Sequence, residues 1–154
     1  MKLSSKARYA VMAMVDLGFH GHGRPVSLAE IASRQDISLS YLEQLFGKLR
    51  RAGLVESVRG PGGGYLLAHG RHEIVVAQIV DAVDEPIRVT RCKGGPDPEP
   101  GCMKNRSKCL THDLWDELGN HIRDFMSSVT LDDICEKRVC RQVPDLDEGA
   151  VAAE

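Results

Sequence analysis

Three cysteines and one histidine stand close together in a short polar stretch of this 154-residue chain. Reduced cysteine usually prefers a protein core, so thiols grouped with an imidazole among glycine, proline and charged residues indicate a metal centre. Three thiolates and an imidazole suit a tetrahedral zinc ion and equally an iron–sulfur cluster, so the spacing alone leaves both open. The four candidate ligands are Cys92, Cys102, Cys109 and His112.

Two further cysteines, Cys135 and Cys140, lie outside this group. The chain has five cysteines, and an odd number argues against the paired disulfide framework of a small secreted protein. The two could form a disulfide and act as a thiol redox switch, or bind a metal, but they lack further ligands. We interpret both as reduced thiols that take no part in the metal centre.

A glycine-rich run at residues 59–64 is the second candidate for chemistry. A nucleotide phosphate loop needs Gly-Lys-Ser/Thr, or a GxGxxG spacing that leads into a helix, and the run has neither. It stands instead between residues 54–58 and 65–67, which both have the composition of β-strands. The run therefore predicts a β-hairpin whose turn carries the basic side chain of Arg59.

Two short amphipathic helices precede this hairpin. Ser27 and Glu30 form a capping box at the start of the first helix, and Ser40 and Glu43 are predicted to form one at the start of the second. A turn at residues 35–38 joins the helices, so the pattern predicts a helix-turn-helix followed by a wing. The side chains expected on the buried face of the second helix are Leu42, Leu45, Phe46 and Leu49.

The opposite face of the second helix and the wing are expected to contact DNA. Glutamine can form two hydrogen bonds to adenine and glutamate can accept one from cytosine, whereas hydroxyls and basic side chains suit phosphates. The alternative is an ordinary solvated helix face. The charge favours DNA, because residues 1–71 hold 10 basic and 5 acidic residues, against 10 and 17 in residues 72–154. The predicted DNA-binding residues are Ser38, Ser40, Tyr41, Glu43, Gln44, Arg50, Arg59 and Gly60, with Lys48 and Arg51 also exposed on the helix.

A long helix is predicted to start at Thr111, with apolar side chains at spacings of 3 and 4 residues. This stripe can serve the core of its own domain or pair with the same helix of a second copy. Two heads that reach major grooves one turn apart must be related by a two-fold axis, so we favour dimerisation. The stripe consists of Leu114, Leu118, Ile122, Phe125 and Val129.

Four segments of the sequence resemble the IscR family of bacterial iron–sulfur cluster regulators, over about residues 1–135. They are LSSKARYAV (3–11), ISLSYLEQLF (37–46), VRGPGGGY (58–65) and CLTH (109–112). The resemblance implies a homodimeric transcription regulator that binds double-stranded operator DNA and represses genes for iron–sulfur cluster assembly. It also implies that Glu43 discriminates between operator types when the cluster is absent. The ligands implied for a 2Fe-2S cluster, whose occupancy changes operator choice, are Cys92, Cys102, Cys109 and His112.

The sequence departs from this family in one segment and leaves related sensors as an alternative. The stretch between Cys92 and Cys102 is longer than is usual for the family and contains three prolines. Related regulators respond to iron supply or nitric oxide, and one of them uses an acidic ligand near its N-terminus, where this chain has Arg8. His112 therefore favours the IscR type.

The predicted fold class is mainly α with a small β-hairpin. The longest apolar run, residues 9–15, ends at Asp16 and is far shorter than the ~20 residues of a membrane-spanning helix, so we expect a cytoplasmic protein without a membrane partner. The chain shows no nucleophile–base pair or nucleotide loop, so we expect no enzyme. The predicted parts are a winged helix-turn-helix head (1–72), a linking helix (73–91), a cluster-binding loop (92–112), a dimerisation helix with a final turn (113–142) and a flexible tail (143–154).

Overall fold

The computed structural model describes residues 5–85, 103 and 107–139. Within these ranges the chain is mainly helical, with a two-stranded antiparallel sheet, so the predicted fold class is confirmed. The elements in chain order are α1 (Ser5–His20), α2 (Leu28–Gln35), α3 (Leu39–Arg51), β1 (Val55–Val58), β2 (Gly64–Leu67), α4 (Val76–Ala82), α5 (His112–Ser128) and α6 (Leu131–Cys135).

The hydrophobic core lies where α1, α2 and α3 meet. Burial of one large apolar side chain stabilises a fold by roughly 1.5–3 kcal/mol, so the apolar stripe of α3 orients that helix and turns its polar face outward. Three alanines on α1 let other helices approach it closely, and α4 and α6 pack against it as well as α2 and α3. The predicted buried face of α3 is confirmed, because at most 1% of each side chain is exposed: Leu42, Leu45, Phe46 and Leu49.

Capping side chains define where the two helices of the helix-turn-helix begin. The box at α2 is confirmed: Glu30 N donates to Ser27 Oγ at 3.3 Å, and Ser27 N donates to a Glu30 carboxylate oxygen at 2.9 Å. The box predicted from Ser40 is wrong. The N-cap of α3 is Ser38, whose Oγ accepts a hydrogen bond from Tyr41 N at 3.3 Å.

The apolar residue before the cap explains this correction. Ile37 is 6% exposed and belongs to the same core cluster as Leu42, which is the pairing that closes a helix N-terminus from outside. Asp36 ends α2 in the left-handed conformation, with φ of 53°, so the turn between the helices is shorter than predicted. Ser40 consequently lies inside the first turn of α3 and is exposed.

A buried carboxylate joins α1 to α2. Asp16 is 2% exposed, and its two oxygens accept hydrogen bonds from Arg34 Nη2 and Gln35 Nε2, each at 2.7 Å. Burial raises the pKa of Asp16, but the hydrogen bonds from Arg34 and Gln35 outweigh it and hold the pKa below its ordinary value. These hydrogen bonds connect α1 directly to the first helix of the helix-turn-helix.

The hairpin formed by β1 and β2 confirms the predicted wing. Val55 lies opposite Leu67 and Val58 opposite Gly64, so the glycine-rich run forms the turn. A Cβ on Gly64 would stand 2.3 Å from the Val26 carbonyl oxygen, and this close approach lets Tyr65 pair with Val26 through two backbone hydrogen bonds. The wing is therefore attached to the segment that leads into α2.

The last helix of the described chain returns to the core around α1. Leu131 at the start of α6 is fully buried in that core, and Leu131 N donates to Ile74 O at 2.9 Å. Thr130 and Asp133 form the capping box of α6. Residue 72 stays a predicted boundary, although the core of the head includes a side chain from far beyond it.

Candidate nucleic-acid interface and metal centre

Helix α3 presents a polar face on the side opposite its buried leucines. Ser38, Ser40, Glu43 and Gln44 are all exposed at the N-terminal half of this helix. Tyr41 is half-buried, because its ring packs edge-on against Tyr9 of α1 at a centroid distance of 5.9 Å. The predicted DNA-binding residues of this half of α3 are thus accessible, although part of the Tyr41 side chain is covered by α1.

The basic residues in the second half of α3 have different surroundings. Arg50 is exposed and donates from Nη1 to Ser57 Oγ of the wing at 3.4 Å. Arg51 is exposed and donates from Nε to its own helix at Gly47 O. Lys48 was expected to be simply exposed, but its ammonium lies 2.6 Å from a carboxylate oxygen of Asp84. The sequence did not reveal this contact, since the partner is 36 residues away.

The wing and the helix are held together by an aromatic contact. The rings of Phe46 on α3 and Tyr65 on β2 meet edge-on, with their centroids 4.9 Å apart. Arg59 and Gly60 lie in the exposed turn of the same hairpin, where Gly60 has φ of 100°. A helix with an accessible polar face beside such a wing has the shape that places one α-helix in the major groove of DNA.

Two of the four predicted metal ligands lie in one turn at the start of α5. His112 N donates to Cys109 O at 3.0 Å, so one hydrogen-bonded turn brings the two residues close together. The Cys109 thiol lies 3.7 Å from Thr111 Oγ1, which also accepts a hydrogen bond from the Trp115 indole at 3.2 Å. Cys92 and Cys102 lie outside the described residues. Within the described ranges, no three histidine, cysteine or acidic side chains come together as a metal site.

Cys135 is part of the interior of the fold. It is 8% exposed on α6, and its Sγ donates to Val15 O at 3.9 Å. Burial raises the pKa of the Cys135 thiol, although Arg71 opposes this effect. A buried, protonated thiol is a poor nucleophile and a poor metal ligand. Cys140 lies outside the described residues, so the interpretation of the two as reduced thiols stays a prediction.

Helix α5 has no buried side chain. Most of its apolar residues are exposed in the single chain, with Leu114 at 62% and Phe125 at 53%, whereas Met126 is partly buried against the apolar cluster that includes Val80. On the other side the helix contacts α4, where Arg123 donates to Asp81 at 2.9 Å. Val129, predicted to continue the apolar stripe, lies just beyond α5 and is buried in a cluster with Val76 and Val80, and its carbonyl accepts from Val76 N at 2.9 Å.

A helix-turn-helix followed directly by a hairpin wing, with an exposed polar recognition helix, defines the class of winged-helix DNA-binding regulators. The sequence matches the Rrf2 family, described as iron-dependent transcriptional regulators, over residues 3–137. The chain belongs to this family.

Individual relatives make the assignment narrower. The chain is 48% identical over 151 residues to the HTH-type transcriptional regulator IscR of Pectobacterium carotovorum, an alignment that covers 98% of this chain and 89% of that protein. Among solved structures, it is similar to T. potens IscR, with a TM-score of 0.71 and 37% identity over 90% of this chain and 88% of that one. It is also similar to CymR (YrzC), the global cysteine regulator of B. subtilis, with a TM-score of 0.72 and 31% identity over 89% and 98%.

These findings confirm a DNA-binding transcription regulator of the IscR type. The relatives carry the names of transcriptional regulators, which is a non-enzymatic role, as the sequence predicted. In the part of the chain that the structure describes, no helix combines the length and the apolar character needed to cross a membrane.

Proposed function

We propose that this chain is an iron–sulfur cluster-sensing repressor of genes for iron–sulfur cluster assembly, and that occupancy of a 2Fe-2S cluster switches its choice of operator. The observation that carries the proposal is the turn before α5, where a cysteine and a histidine of the predicted ligand set follow each other. The proposed ligands are Cys92, Cys102, Cys109 and His112.

The local chemistry of this turn suits the cluster. A thiolate and a neutral imidazole are donors that iron accepts, and the backbone bond from His112 N to Cys109 O sets their spacing. Thr111 Oγ1 stands near the Cys109 sulfur, and hydrogen bonds to ligand sulfurs tune cluster potentials. When bound, the cluster would be a cofactor whose presence reports the supply of iron and sulfide. Because His112 must be neutral to ligate, cluster retention should fall with acid.

The DNA-binding surface in this proposal is the polar face of α3 with the wing. Glu43 and Gln44, both exposed, would meet base edges, since carboxylate and amide groups can read cytosine and adenine. The remaining candidates would position the protein on the phosphate backbone and in the minor groove. They are Ser38, Ser40, Tyr41, Arg50, Arg59 and Gly60.

Helix α5 is the proposed dimer interface. A row of apolar side chains on α5 is exposed, and such a row normally marks an interaction surface. The row consists of Leu114, Trp115, Leu118 and Phe125. An operator with two half-sites also needs two heads related by a two-fold axis. Because the ligand turn immediately precedes α5, cofactor loss would act at the end of the helix that joins the two copies.

The deciding experiment is a visible absorbance spectrum of the full chain prepared anaerobically, with iron and acid-labile sulfide measured on the same sample. We expect a red-brown protein that contains both, and operator binding that differs between the loaded and cluster-free forms. A colourless protein that retains zinc would overturn the cluster proposal and leave a zinc-stabilised regulator.

Single substitutions locate the site. Cys109→Ala and His112→Ala are each expected to lose or shift the visible absorbance while the far-ultraviolet circular dichroism stays unchanged. Cys135→Ala is the matched control, because this thiol is buried against α1, and its spectrum should equal that of the unmodified chain. Full colour in Cys109→Ala would show the ligand assignment to be wrong.

A further inference from the structure

The end of α4 carries three carboxylates that each contact a different helix. Asp81 accepts from Arg123 of α5, Asp84 accepts from Lys48 of α3, and Glu85 lies 3.6 Å from Lys6 of α1. One short segment therefore holds ion pairs to the recognition helix, the first helix and the long C-terminal helix. Of the three contacts, that of Lys48 with Asp84 is the shortest, at 2.6 Å.

The backbone at Asp84 supports this contact. Asp84 has φ of 58°, the left-handed conformation, which aspartate adopts more readily than most residues. Its own N–H donates to Asp81 O at 3.1 Å, so the chain turns sharply as α4 ends. The hydrogen bond raises the pKa of the Lys48 ammonium and lowers the pKa of the Asp84 carboxyl, so both partners stay charged near neutral pH.

Lys48 also belongs to the DNA-binding face by helical spacing. It stands four residues after Gln44 and eight after Ser40, so the three side chains form one row along α3. A lysine in that row would normally be free to bind a DNA phosphate. Here the Lys48 side chain is only 27% exposed, and its ammonium is paired with the Asp84 carboxylate from the turn that follows α4.

We propose that Asp84 competes with DNA phosphate for the ammonium of Lys48, and so withholds one positive charge of the recognition helix from the DNA backbone. Asp84 is thus a positioning residue for Lys48 that weakens the sequence-independent part of DNA binding. With the DNA contacts of the proposed function, this arrangement favours base reading over phosphate attraction, because the contacts proposed for Glu43 and Gln44 would remain while the nearby cation is neutralised.

The test measures how DNA affinity depends on salt, using a mixed-sequence duplex and the full-length chain in its cluster-free form. Each phosphate contact adds about −0.9 to the slope of log affinity against log salt concentration. Asp84→Asn should free Lys48 and steepen the slope by about 0.9, which is an additional loss of about 3.5-fold in affinity between about 50 and 200 mM salt. Lys48→Gln should leave the slope as it is in the unmodified chain, and the double variant should match Lys48→Gln.

Asp81→Asn is the matched control, because it removes an α4 carboxylate and changes the net charge equally, but its partner is Arg123 of α5. Equal slopes for Asp84→Asn and Asp81→Asn would overturn the proposal. So would a steeper slope that persists in the double variant, or a shallower slope in Lys48→Gln alone. If Asp84→Asn fails to fold, Asp84→Gly removes the carboxylate and tolerates the left-handed backbone.

Discussion

The carboxylate of Asp16, in the C-terminal half of α1, accepts hydrogen bonds from both Nε and Nη2 of Arg34 near the end of α2, with Nη2 at 2.7 Å. The guanidinium side chain is about a third exposed, whereas the Asp16 side chain is fully buried. Loss of the pair would therefore cost more free energy at the buried carboxylate than at the guanidinium, which water can still reach.

Replacing Arg34 with alanine is expected to destabilise the protein by about 1 to 3 kcal/mol, since it leaves a buried charge with only Gln35 as a strong donor. The partial exposure of Arg34 keeps the effect below that of a fully buried pair. Chemical denaturation of the variant measures this cost. Arg24→Ala, at an exposed arginine, is the control and should change the free energy of unfolding little. Equal costs for the two variants would contradict the structure.

The same carboxylate predicts how stability depends on pH. Since the pKa of folded Asp16 lies below the ordinary value of 3.8, the folded state binds fewer protons than the unfolded state. This stabilisation is present above that value and is lost as the pH falls through the folded pKa. We expect urea unfolding to show a smaller loss between about pH 5 and pH 2 for Asp16→Asn than for the unmodified chain. Parallel curves would argue against the charged pair.

The position of the helix cap predicts a contrast between two serines. Ser38→Ala should lower the free energy of unfolding by about 1 kcal/mol, because Ser38 Oγ accepts the Tyr41 N–H at the start of α3. Ser40→Ala should change it little, because Ser40 is exposed inside the helix and alanine is a good helix former. The two variants remove the same atom, so thermal unfolding compares them directly. A larger cost at Ser40 would restore the cap predicted from the sequence.

The exposed face of α5 predicts the oligomeric state. Leu118→Glu should convert the proposed dimer to monomer, because it places a charge in the apolar row that a second copy would cover. Asn120→Glu introduces the same side chain on another face of α5 and is the control. Sedimentation equilibrium distinguishes the two, and a dimer in both variants would move the interface away from Leu118.

The sequence predicted the helix-turn-helix and the wing because both depend on local signals. The box of Ser27 and Glu30, the leucines of α3 and the glycine-rich turn each act within a few residues. The start of α3 was misplaced because Ser38 and Ser40 are both cap formers, and burial of Ile37 decides between them. The periodicity of the sequence does not show that Ile37 is buried, because this burial depends on packing in the folded chain.

Contacts between residues far apart in the chain could not be predicted from the sequence. Asp16 looked like an interruption in an apolar run, because its partner Arg34 belongs to another helix. Lys48 looked exposed for the same reason, since Asp84 approaches it only when α4 packs in place. For the metal centre, the structure places Cys109 and His112 in one turn, while the parts played by Cys92 and Cys102 stay predictions.

The burial of Leu131 among the helices of the head has a practical consequence for dissecting this protein. A fragment that stops at residue 72 would lack Leu131 and three further side chains of the same core, so it would be expected to expose apolar surface and to aggregate. The three are Ile74, Ile79 and Val83. Domain-swap chimeras should therefore exchange the head together with α4 and α6. The DNA-binding head and the C-terminal helices therefore depend on each other for folding. A destabilising mutation in either part can lower the cellular abundance of the whole protein.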